Sequence, residues 1–223
     1  MRVLLLVALW ALLLAAGILV GIVLPRRRSK TLHQKANALG FTYSAAGRPF
    51  SGTRVDTLTI LEDGESTEVE NVLERTDGDL HTVIFDEQIA TDVTAHATTF
   101  AAFRSPGLEL PVFHIGERNI LERVEEACGK KVLKIDCNAK FSQHFFVQCE
   151  DDVKARDFLG AAKLATLCDH ARHFYIEASQ DWLLVYRPGV TVGMEDVSKF
   201  IEETRVIAQA LLAGSPMPLP ASA

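Results

Sequence analysis

Val72-Leu73-Glu74-Arg75-Thr76-Asp77-Gly78-Asp79-Leu80-His81-Thr82-Val83-Ile84-Phe85 decides the fold class of this chain. Two β-prone runs, Val72–Arg75 and Leu80–Phe85, flank Asp77-Gly78, a dipeptide that suits the positive φ of a tight hairpin turn. In the second run Leu80, Thr82 and Ile84 alternate with His81, Val83 and Phe85, so both faces of that strand are expected to be partly covered. The neighbouring sequence continues in kind. Thr57–Leu61 and Thr67–Leu73 flank Asp63-Gly64, and Thr98–Phe103 and Pro111–Ile115 follow, joined through Pro106-Gly107. Four or five consecutive short strands predict an antiparallel meander.

Toward the C-terminus the pattern mixes. Asn119–Cys128 reads as a short helix ended by Gly129, and Val132–Ile135 and Phe145–Cys149 read as strands. Asp151-Asp152 is placed to cap a helix running to about Asp169. Phe174–Ala178 and Trp182–Tyr186 form a hairpin around Ser179-Gln180-Asp181. Val197, Phe200, Ile201, Ile207, Ala208 and Leu211 fall at helical spacing, with Gly214 just beyond. The order does not repeat βα units, which excludes a doubly wound nucleotide-binding fold. The expected class is α+β, an antiparallel sheet with helices packed on one side.

The N-terminal end carries a different signal. Val3–Leu24 is an apolar run of 22 residues without a charge. A helix of that length covers about 33 Å, against about 30 Å for a hydrocarbon core. It is too long for a signal peptide, and Ala15-Ala16-Gly17 falls inside it. We therefore expect residues 1–24 to be a transmembrane anchor. Pro25 should end or kink the helix, and Ser29 should cap a new short one that Gly40 stops. Residues 25–40 form a basic juxtamembrane segment. The soluble α+β domain is 41–213, divisible into 41–116 and 117–213, and 214–223 should be a disordered tail.

Arg26, Arg27, Arg28 and Lys30 follow the span, against Arg2 and the α-amino group before it. That asymmetry places the N-terminus outside and the domain in the cytoplasm, at the inner (cytoplasmic) membrane. The four cations read as a collar on lipid headgroups. Gly17 and Gly21 form a small-xxx-small pair through which two such helices could approach as a homodimer.

All 29 acidic residues lie after residue 30, with 18 of the 23 basic ones, a net of −11 for the soluble part. Such a surface excludes nucleic acid, which needs cations against its phosphates. The remaining partners are lipid, through the anchor, and a protein.

No nucleotide-loop, nucleophile-elbow or zinc-protease motif occurs. Cys128, Cys137, Cys149 and Cys168 contain no C-x-x-C. The best metal-like cluster is Cys168, Asp169, His170 and His173, since His170 and His173 would share a helix face. The competing reading is that the histidines complement the negative end of the preceding helix. Cys149 with His144, or Cys128 with His114, would be nucleophile pairs if the fold joined them. Trp182 and Tyr186 share one side of a strand and could line a groove, or simply pack in the core. No catalytic residue, cofactor or metal is assigned. The expected role is a non-enzymatic binding or scaffolding module. The alternatives are a membrane-anchored hydrolase or metal-dependent enzyme, and an exported envelope protein with paired cysteines.

Several short motifs resemble a group of bacterial membrane-anchored proteins without an assigned activity. They are Asn71-Val72-Leu73 with Val83-Ile84-Phe85-Asp86, then Leu108-Glu109-Leu110-Pro111-Val112-Phe113, Phe141-Ser142, and Trp182-Leu183-Leu184-Val185-Tyr186-Arg187-Pro188. The resemblance spans roughly 70–212 and implies one N-terminal span and a soluble α+β domain. In that group Phe-Asp is followed by an aromatic residue, where this chain has Glu87.

Overall fold

The computed structural model describes residues 10, 12–14, 24–47, 69–90, 95–118, 132–133, 135 and 138–213. The expectations for most of the apolar run, including Gly17 and Gly21, for strand 57–61 and its turn, for helix 119–128 and for the tail fall outside these residues. Among the described residues, no helix is long and apolar enough to cross a membrane.

Helix α1 covers Leu24–Ala38. The helix that Pro25 is expected to end or kink lies, over residues 15–23, outside the described residues. Pro25 lies in the first turn, where a missing N–H costs no hydrogen bond and the fixed φ suits the helix. Ser29 is not a cap but lies inside α1. Leu32 and Ala36 point into the core, and Gly40 at φ +74° stops the helix as expected.

The strands are β1 (Thr42–Ala46), β2 (Val69–Asp77), β3 (Leu80–Ala90), β4 (Ala95–Arg104), β5 (Leu110–Glu117), β6 (Val132–Leu133), β7 (Phe145–Cys149), β8 (Tyr175–Gln180) and β9 (Trp182–Tyr186). They form one sheet in the order β1-β2-β3-β4-β9-β8-β5-β7-β6, and every pairing is antiparallel. The Asp77-Gly78 hairpin is present, with Asp77 opposite Leu80 and Gly78 at φ +59°. The meander stops at β4. The strand that pairs with β4 is β9, whose Tyr186 lies opposite Phe100, while β5 lies between β8 and β7. A strand after a loop pairs wherever its apolar face is best covered, and Leu184 and Val185 are apolar on both faces.

Helix α2 (Ala139–His144) precedes β7. The long helix expected over 152–169 is two helices, α3 (Asp152–Leu159) and α4 (Ala161–His170), broken at Gly160 with φ +27°. Asp151 caps α3 as anticipated, its carboxylate accepting the N–H groups of Val153 and Lys154 at 3.0 and 3.1 Å. Helix α5 (Val197–Leu212) presents Phe200, Ile207, Ala208 and Leu211 to the core.

Two apolar clusters lie on the sheet. The larger joins Leu73, Ile84, Phe103, Ile115 and Val185 to residues of each of α1 to α5. The smaller, on the opposite face, gathers Val83, Phe85, Phe100, Trp182, Leu184 and Tyr186. No described helix contributes to it. The α+β reading therefore holds, with the helices among the described residues on one side, and the alternation in Leu80–Phe85 does place apolar groups on both faces.

Candidate functional site

The most developed polar constellation locks α1 to the sheet. It begins with a β-bulge: the β2–β3 register shifts between Glu70 and Leu73, and Asn71 takes φ +53°. Asparagine tolerates that conformation better than most residues, and a bulge re-aims its side chain. The Asn71 amide oxygen accepts from Ser29 Oγ at 2.9 Å and from the Tyr43 hydroxyl at 3.0 Å, and its Nδ2 donates to Asp86 Oδ2 at 2.9 Å.

Asp86 also accepts from Thr99 Oγ1 at 2.6 Å and from two nitrogens of Arg28. Arg28 Nη1 reaches the carbonyl of Val192 at 2.7 Å, and the Val192 N–H returns to Thr99 Oγ1 at 2.9 Å. Lys35 Nζ adds a bond to the Met194 carbonyl at 2.6 Å. The circuit ties α1, β1–β4 and the loop before α5 together. Bidentate, charge-assisted bonds of this kind fix geometry as well as add energy. The expected headgroup collar is corrected here: Arg28 belongs to the domain, with its side chain 19% exposed against Asp86. Lys30 is exposed, and the side chains of Arg26 and Arg27 lie outside the described residues.

A second polar group lies under the opposite face. Glu177, only 2% exposed, accepts the Tyr186 hydroxyl at 2.7 Å, and His114 Nδ1 lies 3.2 Å from the same oxygen. Burial, then the charge of Glu177, holds the Tyr186 hydroxyl well above its ordinary pKa. Tyr175 beside it is pushed up to about 12, again mainly by burial. His114 stacks on Phe146 and meets Tyr175 edge-on. Gly116 allows this roof, since a Cβ there would lie 2.7 Å from the Phe146 ring. Trp182 and Tyr186 do share a face, as period two requires, but both are 2% exposed within the smaller cluster. They are packing residues rather than groove walls.

The residues of the metal-like cluster are not brought together. Cys168 points into the core, Asp169 pairs with Lys140 at 2.7 Å, and His173 turns to Glu117 at 3.0 Å. Among the described residues, no group of three or more ligating side chains is positioned for a metal. Cys149 and His144 sit at opposite ends of β7. The Cys149 thiol contacts Asp152 at 3.6 Å, and burial and that carboxylate push it up to about 11, the reverse of nucleophile activation. Cys128 lies outside the described residues.

In the sequence Asn71 and Asp86 stand only in two separate motifs, which the fold joins by a hydrogen bond. Thr99, Tyr43 and Val192 were not anticipated. A threonine in a strand run carries no local mark of the carboxylate it will meet.

No protein-family model matches the chain, and no curated protein matches it. Among solved structures, the fold is similar to that of the mycobacterial trehalose monomycolate transport factor A, TtfA, with a TM-score of 0.57 and 15% identity. The match covers 87% of this chain and 99% of that one. At this identity the likeness is one of fold.

Proposed function

We propose that the chain is a single-pass, membrane-tethered, non-enzymatic accessory module. It docks on a protein partner at the inner membrane in an envelope transport process, with its domain in the cytoplasm. The observation that carries this reading is the lock between α1 and the sheet. Residues directly after the apolar run are built into the domain by Arg28, Ser29 and Lys35. A flexible linker would let the domain swing freely, whereas these bonds hold α1 itself against the domain. Trp10, Leu12, Leu13 and Leu14 are helical, with side chains 56–67% exposed, an arrangement that suits lipid better than water. The fold likeness to a transport factor supports an accessory role.

The test uses the full chain in intact cells. Ser222→Cys, in a background with the four native cysteines replaced, is exposed to a membrane-impermeant maleimide, and membranes are then washed with carbonate. Retention in the membrane and protection of the thiol until lysis are expected. Release by carbonate would remove the tether, and labelling in intact cells would move the domain to the outer side of the membrane.

A further inference from the structure

A cleft of about 310 Å³ opens where β5, the end of α2 and the start of β8 converge. Its lining includes Glu117, Arg118, His144, Arg172 and His173. The single carboxylate is already engaged: one oxygen of Glu117 receives the His173 N–H at 2.9 Å and contacts His173 Nδ1 at 3.0 Å. Arg118 donates to the Ser142 carbonyl, and Arg172 Nη2 lies 3.4 Å from both ring nitrogens of His144. Among the described residues, neither guanidinium is paired with a carboxylate. In a domain carrying 29 acidic side chains, two such arginines beside two histidines form a local reversal of charge.

The cleft also has a defined place relative to the chain's N-terminal side. Asp86, which holds Arg28, lies opposite Thr99; the next residue of β4, Phe100, lies opposite Tyr186, and Tyr186 opposite Tyr175. On β5, Ile115 lies opposite Ile176, so Glu117 and its β7 partner Phe145 belong to the same edge of the sheet as Asp86. Four strand spacings separate β3 from β5, about 19 Å. Helix α1 runs from that edge, at Arg28, toward the opposite one, where the Leu39 carbonyl meets Arg75. The N-terminal end of α1 therefore lies at the edge that carries the cationic cleft.

We propose that this cleft is a phosphate-binding subsite, with Arg118 and Arg172 as its ligands. Planar guanidinium forks match phosphate oxygens, and 310 Å³ accommodates one phosphate ester with its first substituents. The edge it occupies favours the headgroup of an anionic lipid as the source. That source rests on the tether proposed above; the phosphate site does not.

Calorimetric titration of the detergent-solubilised full chain tests this with three probes: dihexanoyl phosphatidylglycerol, dihexanoyl phosphatidylcholine and inorganic phosphate. The anionic lipid should bind, and Arg172→Gln should weaken it about tenfold, the worth of one charge-assisted bond. Arg172 is exposed and, among the described residues, its guanidinium meets His144, so this variant keeps the fold; Arg118→Gln provides a second variant. Lys199→Gln, an exposed cation on α5 outside the cleft, should leave binding unchanged. Phosphate binding that Arg172→Gln weakens, without binding of the anionic lipid, would support the subsite and overturn the lipid source. Absence of binding by all three, or equal losses in Arg172→Gln and Lys199→Gln, would overturn the subsite. Neither result depends on the carbonate wash, so the two proposals fail separately.

Discussion

Arg28 and Asp86, 58 residues apart, meet through two parallel bonds: Nε to Oδ2 at 2.9 Å and Nη2 to Oδ1 at 3.0 Å. The contact converts a cation beside the apolar run into part of a tertiary lock. Its carboxylate is shared with Asn71 and Thr99, so each partner holds the others in position. Removal of one member therefore exposes the rest to the cost of unpaired buried polar groups.

Asp86→Ala should be the most damaging single change in this network. It leaves the Arg28 guanidinium unmatched and frees the Asn71 amide and the Thr99 hydroxyl. Loss of one partner from a buried pair costs about 3 kcal/mol. At 2–4 °C per kcal/mol for a domain of this size, the melting temperature should fall by about 6–12 °C. Thermal unfolding of the detergent-solubilised chain, followed by circular dichroism, measures it.

At Asn71 the side chain and the backbone can be separated. Asn71→Gly keeps the positive φ without strain but loses three hydrogen bonds, and should cost about 2 kcal/mol. Asn71→Ala loses the same bonds and adds the left-handed penalty, about 1 kcal/mol more. Equal melting temperatures for the two variants would mean that the bulge relaxes.

Gly116 lies beneath the His114, Phe146 and Tyr175 rings. A Cβ would sit 2.7 Å from Phe146 and 2.8 Å from Tyr175, inside van der Waals contact. Gly116→Ala should destabilise by about 1–3 kcal/mol, the range for overpacking. A Gly116→Ala, Phe146→Leu double variant should recover part of that loss. Denaturant midpoints for the pair decide it.

Alkaline pH should weaken the fold. Cys149 is raised from 9.0 to about 11, Tyr175 from 10.0 to about 12, and Tyr186 well above 10.0, in each case with burial as the first cause. Their protons are kept in the folded state and lost first from the unfolded one. The contribution is therefore complete at pH 8 and declines as pH rises past about 9 toward the folded-state values. Melting temperatures measured from pH 8 to 11 should fall, with a shallower slope in Tyr186→Phe. A flat profile would contradict the burial of these groups.

Local signals carried much of the architecture. Asp77-Gly78 marks its hairpin, the 197–211 spacing marks α5, and Asp151 marks the start of α3, because each depends on neighbours a few residues away. What escaped depends on distant ones. Gly160 reads as a tolerated residue within a helix, yet its positive φ divides α3 from α4. The insertion of β9 beside β4 follows from how both faces are covered, which no turn residue encodes. Arg28 is the sharpest case. In Pro25-Arg26-Arg27-Arg28-Ser29-Lys30 it is indistinguishable from its neighbours, and only the bulge at Asn71 and the position of Asp86 set it apart. The same limit hid the cleft, since Arg118 and Arg172 are 54 positions apart in sequence and become neighbours only through the β5–β8 pairing.

The most direct test of the central claim, that α1 is built into the domain, is a double-mutant cycle on Arg28→Ala and Asp86→Ala in the full chain. Melting should show the double variant hardly worse than Asp86→Ala alone, a coupling of about 2 kcal/mol. Additive losses, with coupling near zero, would mean that Arg28 and Asp86 act independently. The helix would then be only loosely attached to the sheet, contradicting the lock on which the account rests.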